Sequence, residues 1–251
     1  MSMASAEKMF KVLETLCHQG PAKAAALGRE LDFNKSSVHR FLNCLMAMGY
    51  VSQCPETGYY SAGLKIYEMG AQVKNRWGIA RIAAPILHRL QVEVNEAVNL
   101  GVLHNNEMLT LERFTPDDES IKIVVKAKLP AYCTALGKIL LAYLDLDCLE
   151  KYLVETDFKA YTDRTVVVPE CLRVMIAEIR QTGIAVDDRE LDDNIRSIAT
   201  PIYDDNGIVV AGMSISASAM RLSGEYLDEA KNKLLVATGE VCRALGHVTA
   251  C

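Results

Sequence analysis

Six side chains able to meet phosphate oxygens and base edges fall within one short stretch: Lys35, Ser36, Ser37, His39, Arg40 and Asn43. All six can donate hydrogen bonds and none is acidic. Threaded between them, Val38, Phe41, Leu42 and Leu45 recur at i, i+3, i+4 and i+7, the stripe of a helix packed on one side. Asn34 is a candidate N-cap and Gly49 a candidate C′ stop, so both ends of this helix are marked. A short capped helix with a donor-rich free face is what a helix-turn-helix lays in the major groove of DNA. The same spacing also describes an ordinary amphipathic surface helix, and only the neighbouring elements separate the two.

Those neighbours favour DNA. Ser5 to Cys17 carries Met9, Val12, Leu13 and Leu16 in helical register, and Gly20-Pro21 ends it. A second short helix follows with Ala24, Leu27 and Leu31 on one side, and Asp32-Phe33-Asn34 turns the chain into the opening helix. Two β-prone runs, Tyr50–Gln53 and Tyr59–Ala62, then flank a Pro/Gly turn and predict a hairpin. A hairpin directly after a helix-turn-helix is a wing. Its tip lacks Lys and Arg, so its expected contribution to phosphate binding is small.

Composition sets the wider frame. Residues 1–75 hold eight Lys and Arg against six Asp and Glu, a net +2, which leaves −7 for the remainder of a chain of net charge −5. A mildly basic head on an acidic body fits a DNA-reading domain joined to something else. Eight cysteines are scattered without a C-x-x-C pair, and several fall on apolar helical stripes as buried thiols do. Neither a disulfide framework nor a zinc site is expected, because the five histidines lack ligand spacing. No cofactor is implied. The N-terminus lacks the basic-then-apolar order of a signal peptide, and no apolar run reaches membrane-spanning length, so a cytoplasmic protein is expected.

Beyond the wing, Gly63–Val73 and Ile79–Val94 are predicted helices. The second carries Ile79, Ile82, Ala83, Ile86, Leu87 and Leu90 in one stripe. It reads both as the first helix of a second domain and as a linker that aids dimerisation, and these are compatible. From Glu96 the pattern turns to strands: Val98–Val102, Met108–Phe114, Ile121–Val125, Ile195–Tyr203 and Ile208–Ser216, the last two joined by an Asn-Gly hairpin turn at Asp204–Gly207. Helices are expected from Thr134, over Pro169–Thr182, and from Ser223 to Gly246 with Tyr226, Leu227, Ala230, Leu234 and Leu235 inward. This is an α+β body with a mostly antiparallel sheet and flanking helices. The expected domains are 1–70, a winged helix-turn-helix; 71–94, a linker helix; and 95–251, the body.

Seven blocks in order then make the chain resemble the IclR family of bacterial transcriptional regulators. In the head they are Lys35-Ser-Ser-Val-His-Arg with Leu42, Leu45…Met48-Gly-Tyr-Val, and Tyr59-Tyr-Ser-Ala-Gly-Leu-Lys. In the body they are Leu129-Pro…Thr134-Ala-Leu-Gly-Lys, Gly183…Val186-Asp-Asp-Arg-Glu, Ile195-Arg-Ser-Ile-Ala-Thr-Pro-Ile, and Gly212…Ser214-Ile-Ser. The resemblance implies a winged-helix head, a linker helix and a GAF-like effector domain. It also implies homodimers or homotetramers that bind operators and answer to small organic acids. DNA contacts carry over onto Lys35, Ser36, Ser37, His39 and Arg40. The effector site carries over onto Ala135, Leu136 and Gly137 at a helix start, onto Asp187, and onto Ser197, where relatives often have cysteine. Glu68-Met-Gly and Asp163-Arg-Thr resemble the branch that regulates sugar-acid, keto-deoxygluconate-type catabolism.

Elementary chemistry supports that pocket on its own terms. The start of the Thr134 helix offers unpaired N–H donors and a positive dipole end, a ready anion site. Asp187 can accept from hydroxyl groups of a hydroxy- or keto-acid; read without the family, a solvated turn or cap is the alternative. Arg196 is open between the pocket and a surface ion pair, and Tyr132 between the pocket and the core. Trp77 is expected to pack. Two other function classes fit the sequence less well. An enzyme would need a catalytic constellation, and there is no G-x-S-x-G, no phosphate-cradling glycine loop and no telling Cys/His pair. A scaffold using the winged helix for protein contacts would lack sequence-specific DNA retention. The expected partners are therefore an operator of imperfect palindromic form and a small carboxylic-acid effector, with no membrane.

Overall fold

A computed structural model describes residues 3–76, 78–116 and 128–247. The chain divides into two compact units, 1–77 and 78–251. In the first, α1 (Met3–Gln19), α2 (Ala24–Glu30) and α3 (Lys35–Ala47) close on Met9, Val12, Leu16, Leu27, Val38, Phe41, Leu42 and Leu45. The four α3 residues are those of the expected stripe. Asp32 takes φ +53 in the turn between α2 and α3, a left-handed conformation that Asp tolerates better than most residues. The wing is β1 (Val51–Gln53) paired antiparallel with β2 (Tyr60–Ala62), Ser52 opposite Ser61. Ala22 and Tyr60 exchange both backbone hydrogen bonds at 2.9 Å, so the α1–α2 connection is pinned to the wing. The unit ends with α4 (Leu64–Arg76).

The second unit is built on α5 (Gly78–Val94), β3 (Ala97–His104), β4 (Glu107–Phe114), β5 (Lys128–Pro130), α6 (Ala135–Ala142), α7 (Leu146–Glu155), α8 (Pro169–Thr182), β6 (Ala185–Asp188), β7 (Ile195–Tyr203), β8 (Val209–Ser218) and α9 (Gly224–Ala244). Its strands lie in the order β5-β4-β3-β8-β7-β6, antiparallel at every pairing. One face, with Val98, Leu100, Ile198, Met213 and Ile215, is covered by α5 and α9. The other, with Met108, Ala185 and Ala199, lies under α6 and the helices behind it. Both faces are thus enclosed, which is why β3 reads as buried over Ala97–Gly101 with polar Asn99 among its residues.

The structure adjusts several expectations. The 71–94 segment is split between the units, and Ala80, Ala83, Leu87, Leu90 and Val94 of α5 join the core of the second. Helix α7 was not anticipated; Asp145 caps it, accepting from the Cys148 N–H at 2.8 Å, and Leu149, Tyr152 and Leu153 face inward. Ser223 occupies the N-cap position of α9, yet its hydroxyl donates to the Met220 carbonyl instead of capping. Leu235 is 45% exposed because the stripe of α9 passes through Leu234 and Thr238. Cys133 and Cys242 are buried, whereas Cys17, Cys54, Cys148 and Cys171 are exposed. The expected strand Ile121–Val125 and Trp77 lie outside the described residues.

Candidate functional site

The amphipathic spacing of α3 puts its polar residues where expected. Lys35, Ser36, Arg40 and Asn43 are exposed and Ser37 and His39 half-buried at the flanks of the same free face. Asn34 sets the helix start: its side-chain oxygen accepts from the Ser37 N–H at 2.8 Å and from the Ser36 hydroxyl at 2.9 Å. Ser36 therefore has its proton engaged locally, and Lys35, Arg40 and Asn43 are the outward donors. Gly49, at φ +81, ends the helix as the C′ residue. Lys65 on α4 donates to the Met48 carbonyl at 2.8 Å while its ammonium lies 4.6 Å from the Tyr50 ring centroid, a C-terminal contact the sequence did not announce. The wing tip has no cation of its own, but Lys23 lies 5.2 Å over the exposed Tyr59 ring and brings one beside it.

In the second unit a cavity of about 630 Å³ opens between the start of α6 and the sheet. Ala135 and Leu136, Asp187 and Ser197 all line it, so four of the five predicted positions converge. Thr134 caps α6, and its hydroxyl oxygen accepts from the Gly137 N–H at 3.1 Å. The N–H groups of Ala135 and Leu136 have no partner among the described residues, as the first turn of a helix dictates. Gly137 is not at the cavity wall. A Cβ there would lie 2.2 Å from the Ala131 carbonyl oxygen, so glycine is what lets α6 start this close to the preceding turn.

Behind the wall sits a buried charge cluster. Lys138, fully buried, forms an ion pair with Glu190 and donates to the Val186 carbonyl. Asp187 Oδ1 accepts from the Glu190 N–H at 2.8 Å. Burial pushes the Asp187 carboxyl up to about 7, although that hydrogen bond and the Lys138 charge pull the other way. Burial likewise lifts the Cys133 thiol to about 12, which leaves it an unreactive packing residue. The signal for this cluster was present in the sequence: a lone lysine within Ala135-Leu-Gly-Lys-Ile-Leu-Leu-Ala can be buried only with a counter-charge.

Two open assignments close. Arg196 grips Asp188 through Nε at 2.9 Å and Nη2 at 2.7 Å and donates to the Leu222 carbonyl at 2.7 Å, so it is a structural clasp outside the cavity. Burial works against the Asp188 charge, but hydrogen bonds from Arg196 and Arg189 outweigh it and hold the carboxyl below its ordinary range. Tyr132 packs in the core, its hydroxyl donating to the Lys159 carbonyl and accepting from the Lys159 N–H, both at 2.8 Å. Sequence reasoning missed Asn99, Ser214 and Ser216, which line the cavity floor beside Ser197. Among the described residues no cluster of metal-ligand type occurs, and no helix is long and apolar enough to cross a membrane.

Known proteins match both units. Residues 5–55 match the IclR helix-turn-helix domain, and residues 71–243 match the bacterial transcriptional regulator IclR C-terminal domain. The chain is 30% identical over 250 residues to the HTH-type transcriptional regulator KdgR of Escherichia coli, covering 98% of this chain and 94% of that protein. To the Pca regulon regulatory protein of Pseudomonas putida it is 33% identical over 224 residues, covering 88% of this chain and 76% of the other. The crystal structure of Thermotoga maritima IclR superposes with a TM-score of 0.80 at 28% identity, covering 98% of this chain and all of that one. An IclR homolog from Microbacterium hydrocarbonoxydans, crystallised with 4-hydroxybenzoate, shares the fold with a TM-score of 0.84 at 24% identity, covering 97% and 100%. These relatives are transcriptional regulators rather than enzymes, and the chain belongs to the IclR family of DNA-binding transcriptional regulators, with a helix-turn-helix head and a C-terminal effector-binding domain.

Proposed function

We propose that this regulator binds a palindromic operator through α3 and releases or grips it according to the occupancy of the α6 cavity by a small carboxylic acid. The observation that carries the reading is the cavity itself: two free N–H groups at the N-terminus of α6 face a polar sheet floor and the buried Asp187 carboxyl. The ligand carboxylate sits on the Ala135 and Leu136 N–H groups, where the helix dipole favours negative charge. Gly137 serves by letting α6 approach, and Asp187 and Ser197 take the ligand's remaining oxygens. Residues 1–70 act as the DNA-binding head, 71–94 as the connection and 95–251 as the sensor, in the cytoplasm.

Lys35, Arg40 and Asn43 read bases or phosphates, with Ser36, Ser37 and His39 on the flanks. A homodimer, or a homotetramer built from it, presents two α3 helices about 34 Å apart, so the operator is an imperfect palindrome. We assign repression as the mode, in keeping with the E. coli transcriptional repressor YiaJ, 29% identical over 202 residues. The test is fluorescence anisotropy on a labelled palindrome selected from random DNA, at two salt concentrations, against a panel of keto, hydroxy and aromatic acids. Tight, salt-sensitive binding weakened by one acid is the expected result. Failure to enrich any sequence would overturn the reading.

A further inference from the structure

The C-terminal end of α3 is completed by a residue from another helix. The Tyr50 N–H donates to the Leu45 carbonyl and the Gly49 N–H to the Met46 carbonyl, both at 2.9 Å, with Gly49 at φ +81. The last turn of α3 carries no cation of its own. Lys65, in the first turn of α4, supplies one at the negative end of the α3 dipole. It donates to the Met48 carbonyl at 2.8 Å, and its ammonium stands 4.6 Å from the Tyr50 ring centroid.

The backbone makes the same connection. Gly63, directly before α4, donates to the Tyr50 carbonyl at 2.8 Å. A Cβ on Gly63 would lie 2.4 Å from the Gly49 carbonyl oxygen, so α4 starts as close to the C-terminal turn of α3 as glycine allows. Tyr50 in turn packs against the core of the first unit. Lys65 itself is exposed and fills no part of that core. A recognition helix meets base edges with its N-terminal residues. With α3 spanning 13 residues, the Lys65 attachment lies about 20 Å from Lys35 at the opposite end. Lys65 is therefore placed to hold α3 rather than to read DNA.

The chain joins the 78–251 unit to α3 through α4. A two-half-site operator is then met at a spacing only as stiff as the joint between α3 and α4. Resting on the operator reading above, we propose that Lys65 is a positioning residue for operator recognition: it clamps α3 to α4 and so fixes the half-site spacing that the regulator accepts.

The test is fluorescence anisotropy with the full chain on three labelled duplexes. They are the palindrome selected from random DNA, the same duplex with one half-site scrambled, and the palindrome with one base pair inserted at its centre. The insertion adds about 3.4 Å and about 35° of rotation between the half-sites. The native protein is expected to bind the palindrome at least tenfold more tightly than either of the other two. Lys65→Met, which keeps the aliphatic stem, is expected to lose at least fivefold on the palindrome and to stay within twofold of native on the scrambled duplex. It should also bind the palindrome and the inserted duplex within threefold of each other, a tolerance that a merely destabilised head would not give. Lys65→Arg, which keeps a donor and a charge, should restore the native pattern. A Lys65→Met protein that is weakened alike on all three duplexes, or that keeps every native affinity, overturns the proposal. So does one whose log affinity loses slope against log salt, which would make Lys65 a phosphate contact. If the native protein binds the scrambled duplex as tightly as the palindrome, the two-half-site reading falls and this inference with it.

Discussion

Arg40 and Asp187 are the two residues on which the regulator's two halves can be separated. Arg40 is exposed on the free face of α3, so Arg40→Ala should weaken operator binding by about 1–3 kcal/mol if it reads a guanine, and leave acid binding untouched. Anisotropy and calorimetry on the same preparation check both halves; unchanged operator affinity would remove Arg40 from the reading set. Asp187 makes the opposite prediction, with Asp187→Ala losing the acid response and keeping DNA binding. It also carries a signature in pH. Its carboxyl, lifted by burial from 3.8 to about 7, keeps a proton in the folded protein that the unfolded chain has already released. Stability contributed at this site therefore falls as pH rises through that window. Asp187→Asn, whose side-chain oxygen can still accept from the Glu190 N–H, should stabilise the protein more at pH 8 than at pH 5, by about 1.4 kcal/mol for each unit of the lift that lies above pH 5. Thermal melts at the two pH values decide it. Asp187, Ala135 and Leu136 were legible in the sequence because each belongs to a local motif. Asn99, Ser214 and Ser216 were not. Asn99 and Ser214 come together only through the β3–β8 register, and nothing local distinguishes them from polar residues on the wet side of a half-buried sheet.

The elements most legible were those whose two ends are marked. Pro169 opens α8 and Gly183, at φ +69, closes it, so the expected Pro169–Thr182 span matched to the residue. Helix α3 was readable for the same reason, from Asn34 to Gly49. Helix α7 escaped because its three inward residues are few and its cap, Asp145, sits in an otherwise acidic run. Helix α6 poses a different problem, since every residue from Ala135 to Ala142 is buried and Lys138 among them. Removing one partner of a buried ion pair strands the other, so Lys138→Met should destabilise the second unit by about 3–5 kcal/mol. Lys138→Met/Glu190→Leu should recover most of that loss. Denaturant midpoints across the double-mutant cycle give the coupling directly, and a double variant no better than the single would mean the pair holds α6 in some way apolar packing cannot.

At the scale of the whole molecule, the chain divides at 77 and 78, and among the described residues the first unit holds one buried cluster and the second holds one on each face of its sheet. Calorimetric unfolding should then resolve two transitions, and a bound acid should move the one belonging to 78–251. At a ligand concentration a hundredfold above Kd the stabilisation is about 2.7 kcal/mol. A single transition that shifts as one would show the two cores to be thermodynamically coupled. The α+β class and the two-part plan were legible because a basic, helical head and an acidic, strand-rich body differ in composition as well as period. What composition could not reveal was the enclosure of the sheet on both faces, which turned its polar positions into a floor. That floor has a consequence for descent and for engineering. Its contacts are side chains on strands whose ladder hydrogen bonds run through the backbone alone, from Asp187–Ser197 to Ser216 and from Ser214 to Asn99. The serine positions among them, Ser197, Ser214 and Ser216, can therefore be exchanged among small residues without removing a ladder hydrogen bond. A scaffold of this kind can be retuned one strand at a time, with the backbone ladder of every intermediate intact.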